Sequence, residues 1–264
     1  MPGCASGDDV RVDYGQRSAR KGLSDRSRAY LAALVALILT VLVLLVDSGS
    51  NGFRFRSWLG IDERVVSAVE PRGNGHYKFF DTQPGGRDPV AWNPCEDIHY
   101  LVNPSGAPDG WEDLVDDAVA VVSEAAGLSF EYDGTTDDRR FTDRLDGVGR
   151  AAPVLIGWAD SDEVSRLEGD VAGVAGPVTQ TRAGFSRYVS GMVVLDRKAF
   201  DDLEEQPGGD THQQAILMHE LGHLLGLDHV NDRRELMYES NLGRTTLGKG
   251  DRKGLALLGG VGCG

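Results

Sequence analysis

The 264-residue sequence predicts an α+β domain of α/β character preceded by one transmembrane helix. Three observations carry that expectation. A charge-free apolar run lies near the N-terminus, short strand-like segments alternate with helix-like ones from residue 98 onward, and one long apolar-faced helix signal begins near residue 210. With 41% hydrophobic and 26% charged residues the chain can bury a core, so intrinsic disorder is excluded. The formal net charge of −14 leaves nucleic-acid binding without an electrostatic footprint. Three cysteines with no Cys-x-x-Cys pair argue against a disulfide-framed mini-protein, a zinc ribbon and a thioredoxin-like redox site.

The apolar run covers residues 30–46, YLAALVALILTVLVLLV, which as a helix rises roughly 26 Å, enough to span a bilayer. Arg17, Arg20, Lys21, Arg26 and Arg28 precede it and Asp47 follows, so positive-inside reasoning keeps residues 1–29 in the cytoplasm and places the remainder outside. The alternative is a cleaved signal peptide and a secreted product, with Ser48, Gly49 and Ser50 forming a weak small-residue cleavage site. Residues 47–74, rich in Gly, Ser and Arg and ending in the breaker cluster Pro71-Arg72-Gly73-Asn74-Gly75, read as a stalk, and residues 75–264 as the folded domain. All of the acidic excess lies beyond residue 28, where it promotes solubility.

Within the domain, Ile98–Val102 predicts a strand closed by Asn103-Pro104, and Trp111–Ala126 a helix with Leu114, Ala118, Val121, Val122 and Ala125 on one side. Leu128–Tyr132 and Pro153–Trp158 predict two further strands, the second a continuous apolar run suited to the middle of a sheet. Gly173–Val178, rich in glycine and containing Pro177, suits a sheet edge, and Tyr188–Leu195 is another strand. Asp210 and Thr211 are candidate N-caps for a helix whose apolar residues Ala215, Ile216, Met218, Leu221, Leu224 and Leu225 end at Gly226. A final helix is expected from Lys249 or Gly250 to Leu258.

The helix ending at Gly226 carries the pattern H-E-x-x-H-x-x-G-x-x-H: His219, Glu220, His223, Gly226 and His229. Residues four apart lie about 40° apart around a helix and one turn along it, so the His219 and His223 imidazoles can face one Zn²⁺. Were the helix to continue, His229 would be carried roughly 15 Å along the axis from that pair, out of reach. The chain must turn, and glycine at 226 permits the left-handed conformation that ends a helix. Three neutral imidazoles leave a tetrahedral zinc open to water, a catalytic rather than structural arrangement, and Glu220 beside them is a candidate general base.

These residues, with Met237 in Glu235-Leu236-Met237-Tyr238, resemble the metzincin clan of zinc endopeptidases, most closely matrixins and their bacterial relatives. The resemblance covers roughly residues 90–260 and is strongest from 211 to 240. It implies a twisted, mixed five-stranded sheet with an active-site helix, one catalytic zinc held by His219, His223 and His229, Glu220 as catalytic residue, Met237 as a packing support in a turn beneath the metal, and protein or peptide substrates. It also implies that Gly173, Val174, Ala175 and Gly176 form an edge strand along which an extended substrate aligns. Glu239 stands where astacins and serralysins carry a tyrosine ligand, and where matrixins usually carry proline. Calcium sites are common in the clan, yet no D-x-[DN]-x-[DN]-G loop exists here, so calcium stays open.

Cys95 and Cys263 are the two cysteines on the oxidising side of an N-in anchor, and a disulfide between them is expected. The readings that compete with a peptidase are a tethered zinc-binding module without turnover and a zinc hydrolase of a non-protein amide. His76, His99 and His212 lie outside the motif and carry no assigned role.

Overall fold

The computed structural model describes residues 30, 33–41, 64–145, 149–240 and 243–263. The chain divides into two units, Met1–Arg56 and Ser57–Gly264. In the first, residues 33–41 are helical, a rise of only about 14 Å. Among the described residues no helix is long and apolar enough to cross a membrane. The transmembrane helix expected over 30–46 thus lies partly outside the described residues, as do the cytoplasmic segment 1–29 and the first part of the stalk.

The second unit contains strands β1 (Ile98–Asn103), β2 (Phe130–Thr135), β3 (Val154–Ala159), β4 (Gly173–Arg182) and β5 (Phe185–Asp196). Its helices are α1 (Trp111–Ala126), α2 (Arg197–Glu204), α3 (Gly209–Leu225) and α4 (Lys249–Gly259). The sheet order is β2-β1-β3-β5-β4, and β4 alone runs antiparallel to its neighbour. The mixed five-stranded sheet is therefore present, with Pro177 in an edge strand as expected. Ala183 (φ 50°) and Gly184 (φ 81°) join β4 to β5 in a two-residue connection whose positive φ angles suit the twist of an antiparallel hairpin.

Every residue of β3 is buried, and its side chains alternate between two cores. Val154, Ile156 and Trp158 face the larger one, built with Val193 and Leu195 of β5, Val115, Ala118 and Val122 of α1, and Leu217, Leu221 and Leu224 of α3. Leu155 and Ala159 face the smaller one with Met192, Val194, Phe141, Val164 and Leu167. Because α3 is wedged between sheet and neighbouring helices, twelve of its residues are buried, on all sides of the axis.

One expectation needs correction. Helix α3 begins at Gly209 behind Gly208 (φ 77°), not behind Asp210 or Thr211, so Asp210 falls in the first turn, where its charge complements the helix dipole. The short α2 carries a single buried residue, Phe200, too little for an apolar period; its one local signal is the Asp196 carboxylate, which accepts from Ala199 N at 2.7 Å. Arg64, within the segment expected as a stalk, is tied to the domain. It donates to the carbonyls of Gly127, Gly259 and Val261, where α1 and α4 end and carbonyls lack helical partners. Cys95 and Cys263 are bonded to each other, with Cα atoms 5.7 Å apart, across a sequence separation of 168 residues.

Candidate metal centre

Helix α3 ends in a Schellman motif: Leu227 N–H donates to Gly222 O (2.9 Å), Gly226 N–H donates to His223 O (3.0 Å), and Gly226 takes φ 113°. A side chain at 226 would be strained in that conformation, and its Cβ would lie 2.8 Å from Tyr188 Cε2. Trp92 Nε1 donates to Leu224 O (2.9 Å), meeting another carbonyl of the last turn. The chain reverses here and carries His229 back to the helix.

Nε2 of His229 lies 3.1 Å from Nε2 of His219 and 3.1 Å from Nε2 of His223. Two nitrogens bound tetrahedrally to one zinc at about 2.0–2.1 Å lie roughly 3.3–3.4 Å apart, close to these spacings. His219 Nδ1 faces Leu236 O and His223 Nδ1 faces Leu227 O, both at 2.8 Å. A carbonyl only accepts, so in each ring Nδ1 bears the hydrogen and Nε2 presents its lone pair to the cluster. Burial pushes His219 down to about 3 and His223 down to about 4, with neighbouring imidazoles adding to the shift, so both rings are neutral near pH 7, as metal ligands must be. Donor set, tautomers and spacing all fit a zinc ion.

Glu220 is 6% exposed, and its Oε2 has no hydrogen-bond partner among the described residues. Burial pushes its carboxyl up to about 8, opposed by the charge of Arg166. Gly173 makes room for it: a Cβ there would stand 2.8 Å from Glu220 Cγ and 3.0 Å from Cδ and Oε1. The first residue of β4 therefore abuts the carboxylate. Val174 packs toward the smaller core and Ala175 toward the larger, while Gly176 adjoins open space at the sheet edge.

Met237 is buried beneath the helix, and a Cβ on Gly222 would fall 2.6 Å from its Sδ. Gly222, an unspecified position of the motif, thus lies in close approach to the Met237 side chain. Met237 O accepts from Val230 N (3.0 Å), tying this turn to the residue after His229. Sequence reasoning did not single out Asp251, which is 1% exposed; its carboxylate accepts from Leu236 N, Met237 N (3.3 Å) and Gly248 N (2.7 Å). Its only signal was an acid in the first turn of an expected helix. His76 and His99 lie elsewhere, paired with Asp232 and Asp133.

A mixed sheet whose edge strand abuts the glutamate of a helix that also bears a histidine pair, with a third histidine returned by a glycine turn, defines the metzincin-clan zinc metallopeptidases. The matrixin family model matches residues 112–258, more than half of the sequence, and the chain belongs to that family. The archaemetzincin of Methanopyrus kandleri aligns with 17% identity over 55% of this chain and 82% of its own, with a TM-score of 0.35. No curated protein matches the chain.

Proposed function

We propose that this metallopeptidase is an endopeptidase held at a membrane by residues 30–46, in which Glu220 is the general base and His219, His223 and His229 are the zinc ligands. The observation that carries the reading is the Glu220 carboxylate, buried next to the triad with an oxygen that no group among the described residues satisfies. A binding module would gain nothing from such a group, since leaving it unpaired costs stability. When bound, zinc supplies Lewis acidity, lowering the pKa of a water to about 7 and polarising the scissile carbonyl. A cation held beside Glu220 would favour its ionised form, which then accepts the proton of the attacking water and delivers it to the leaving amine. The edge strand from Gly173 to Gly176 offers backbone groups along which an extended peptide aligns.

The test compares zinc content with peptide hydrolysis. Glu220→Gln retains about one zinc per chain and loses roughly 10² to 10⁴-fold or more in rate. Wild type that holds zinc but cuts no unfolded protein would replace this reading with a binding module or a non-protein amide hydrolase. The N-in topology rests on the basic flank before Tyr30 and on Asp47 after the apolar run. Protease added outside intact cells should remove the catalytic domain and spare residues 1–28; a mature N-terminus near Asn51 would mean a secreted enzyme instead.

A further inference from the structure

Phe80 stands outside the motif, yet its ring is edge-on to that of His223, with centroids 6.4 Å apart and planes at 72°. The residue is nevertheless 48% exposed. Tyr132 and Phe185, the other exposed aromatics of the domain among the described residues, lie against Tyr100 and Arg187 instead. Single exposed apolar residues are ordinary, but this one is held in place. Phe80 N–H donates to Gly226 O (2.8 Å), Asp228 N–H donates to Lys78 O (2.8 Å), and Lys78 Nζ pairs with Asp228. The segment carrying Phe80 is thereby stitched to the loop that delivers His229, and its ring stays beside the metal centre with a free surface. Val171, 38% exposed, lies two residues ahead of Gly173, so a second exposed apolar side chain adjoins the strand that abuts Glu220.

An extended peptide advances about 3.3–3.4 Å per residue, so one crossing the histidine cluster passes Phe80 within about two residues of the scissile bond. Alternate side chains of an extended chain face the same way, so Phe80 meets one substrate position rather than two neighbours. We propose that Phe80 determines specificity by offering an apolar surface to that one side chain, favouring aliphatic or aromatic residues there. The inference rests on the endopeptidase reading above. Phe80 acts on the substrate and not through His223, so metal binding does not depend on it.

Cleavage sites produced by the zinc-loaded full chain in a mixture of unfolded proteins, read by mass spectrometry, test this. Wild type should show apolar enrichment at one fixed position within two residues of the cut. Phe80→Ala should lose that enrichment, Phe80→Leu should keep it, and both should retain wild-type zinc. For paired peptides differing only there, the kcat/KM ratio of leucine over alanine should fall roughly 10-fold in Phe80→Ala. An unchanged cleavage profile in Phe80→Ala overturns the proposal, and so does a changed profile accompanied by loss of zinc, which would make Phe80 a support for His223. Failure of wild type to cut anything would instead overturn the endopeptidase reading itself.

Discussion

Glu220 and Asp251 are buried carboxylates of one domain, 6% and 1% exposed, and their surroundings treat them in opposite ways. Asp251 receives three backbone N–H groups from the chain around the Met237 turn and the start of α4. Among the described residues Glu220 Oε2 receives none, and the residue packed closely against its side chain is a glycine, Gly173. Burial raises both carboxyl pKa values, but only at Asp251 do backbone donors pull the other way. A buried carboxylate with its donors supplied clasps two segments together; one without them is left available to a proton.

Amide substitution should separate the two residues most sharply. Glu220→Gln loses rate by the factor given above while keeping its fold, and it carries a second signature in chelator-treated protein. The folded Glu220 carboxyl holds its proton up to about 8, whereas an unfolded one releases it near 4.5. The unfolded state therefore binds fewer protons across that window, and wild-type stability falls as pH rises through it, by at most about 1.4 kcal/mol per pH unit. Glutamine removes that slope. Urea midpoints at several pH values for both proteins check this, and parallel curves would show that Glu220 does not titrate as its burial demands.

The next effect should be one of stability. Asp251→Ala strands the N–H groups of Leu236, Met237 and Gly248 and should cost about 2–4 kcal/mol, with Asp251→Asn losing less because its carbonyl still accepts. Urea unfolding of the zinc-loaded protein measures it, and an unmoved midpoint would end the clasp interpretation. Smaller again is Gly173→Ala. The added Cβ would sit 2.8 Å from Glu220 Cγ and must displace the side chain, so kcat/KM should drop roughly 10- to 100-fold with zinc retained. Full activity in that variant would mean that Glu220 works from a different rotamer.

Much of the domain could be read from local pattern. Helix α1 matches its expected bounds, Trp111–Ala126, because its apolar residues repeat at helical spacing and Gly127 ends it. β3 shows itself as a strand by its unbroken apolar run, which its burial on both faces requires. Helix α2 was missed because one buried Phe200 makes no period, and the true start of α3 was missed because Gly208 caps by its backbone conformation and not by a side chain. Nothing in the composition of residues 64–74 announces that Arg64 binds helix ends at residues 127 and 259.

The amino-acid sequence by itself determined the members of the histidine cluster. Helical spacing aligns His219 with His223, and Gly226 is the residue at which the chain can turn to bring His229 back. Only the tertiary structure decided which residues serve that cluster. Asp251 reaches the Met237 turn from a separate helix, Gly173 yields its side-chain space to Glu220 from the sheet edge, and Phe80 meets His223 through a segment hydrogen-bonded to residues 226–228. The physical reason is one of range. A helix's period and its end are set by backbone geometry within a few residues, whereas these partners meet only once apolar burial has packed distant segments together, and that packing leaves no periodic mark on the residues it brings into contact.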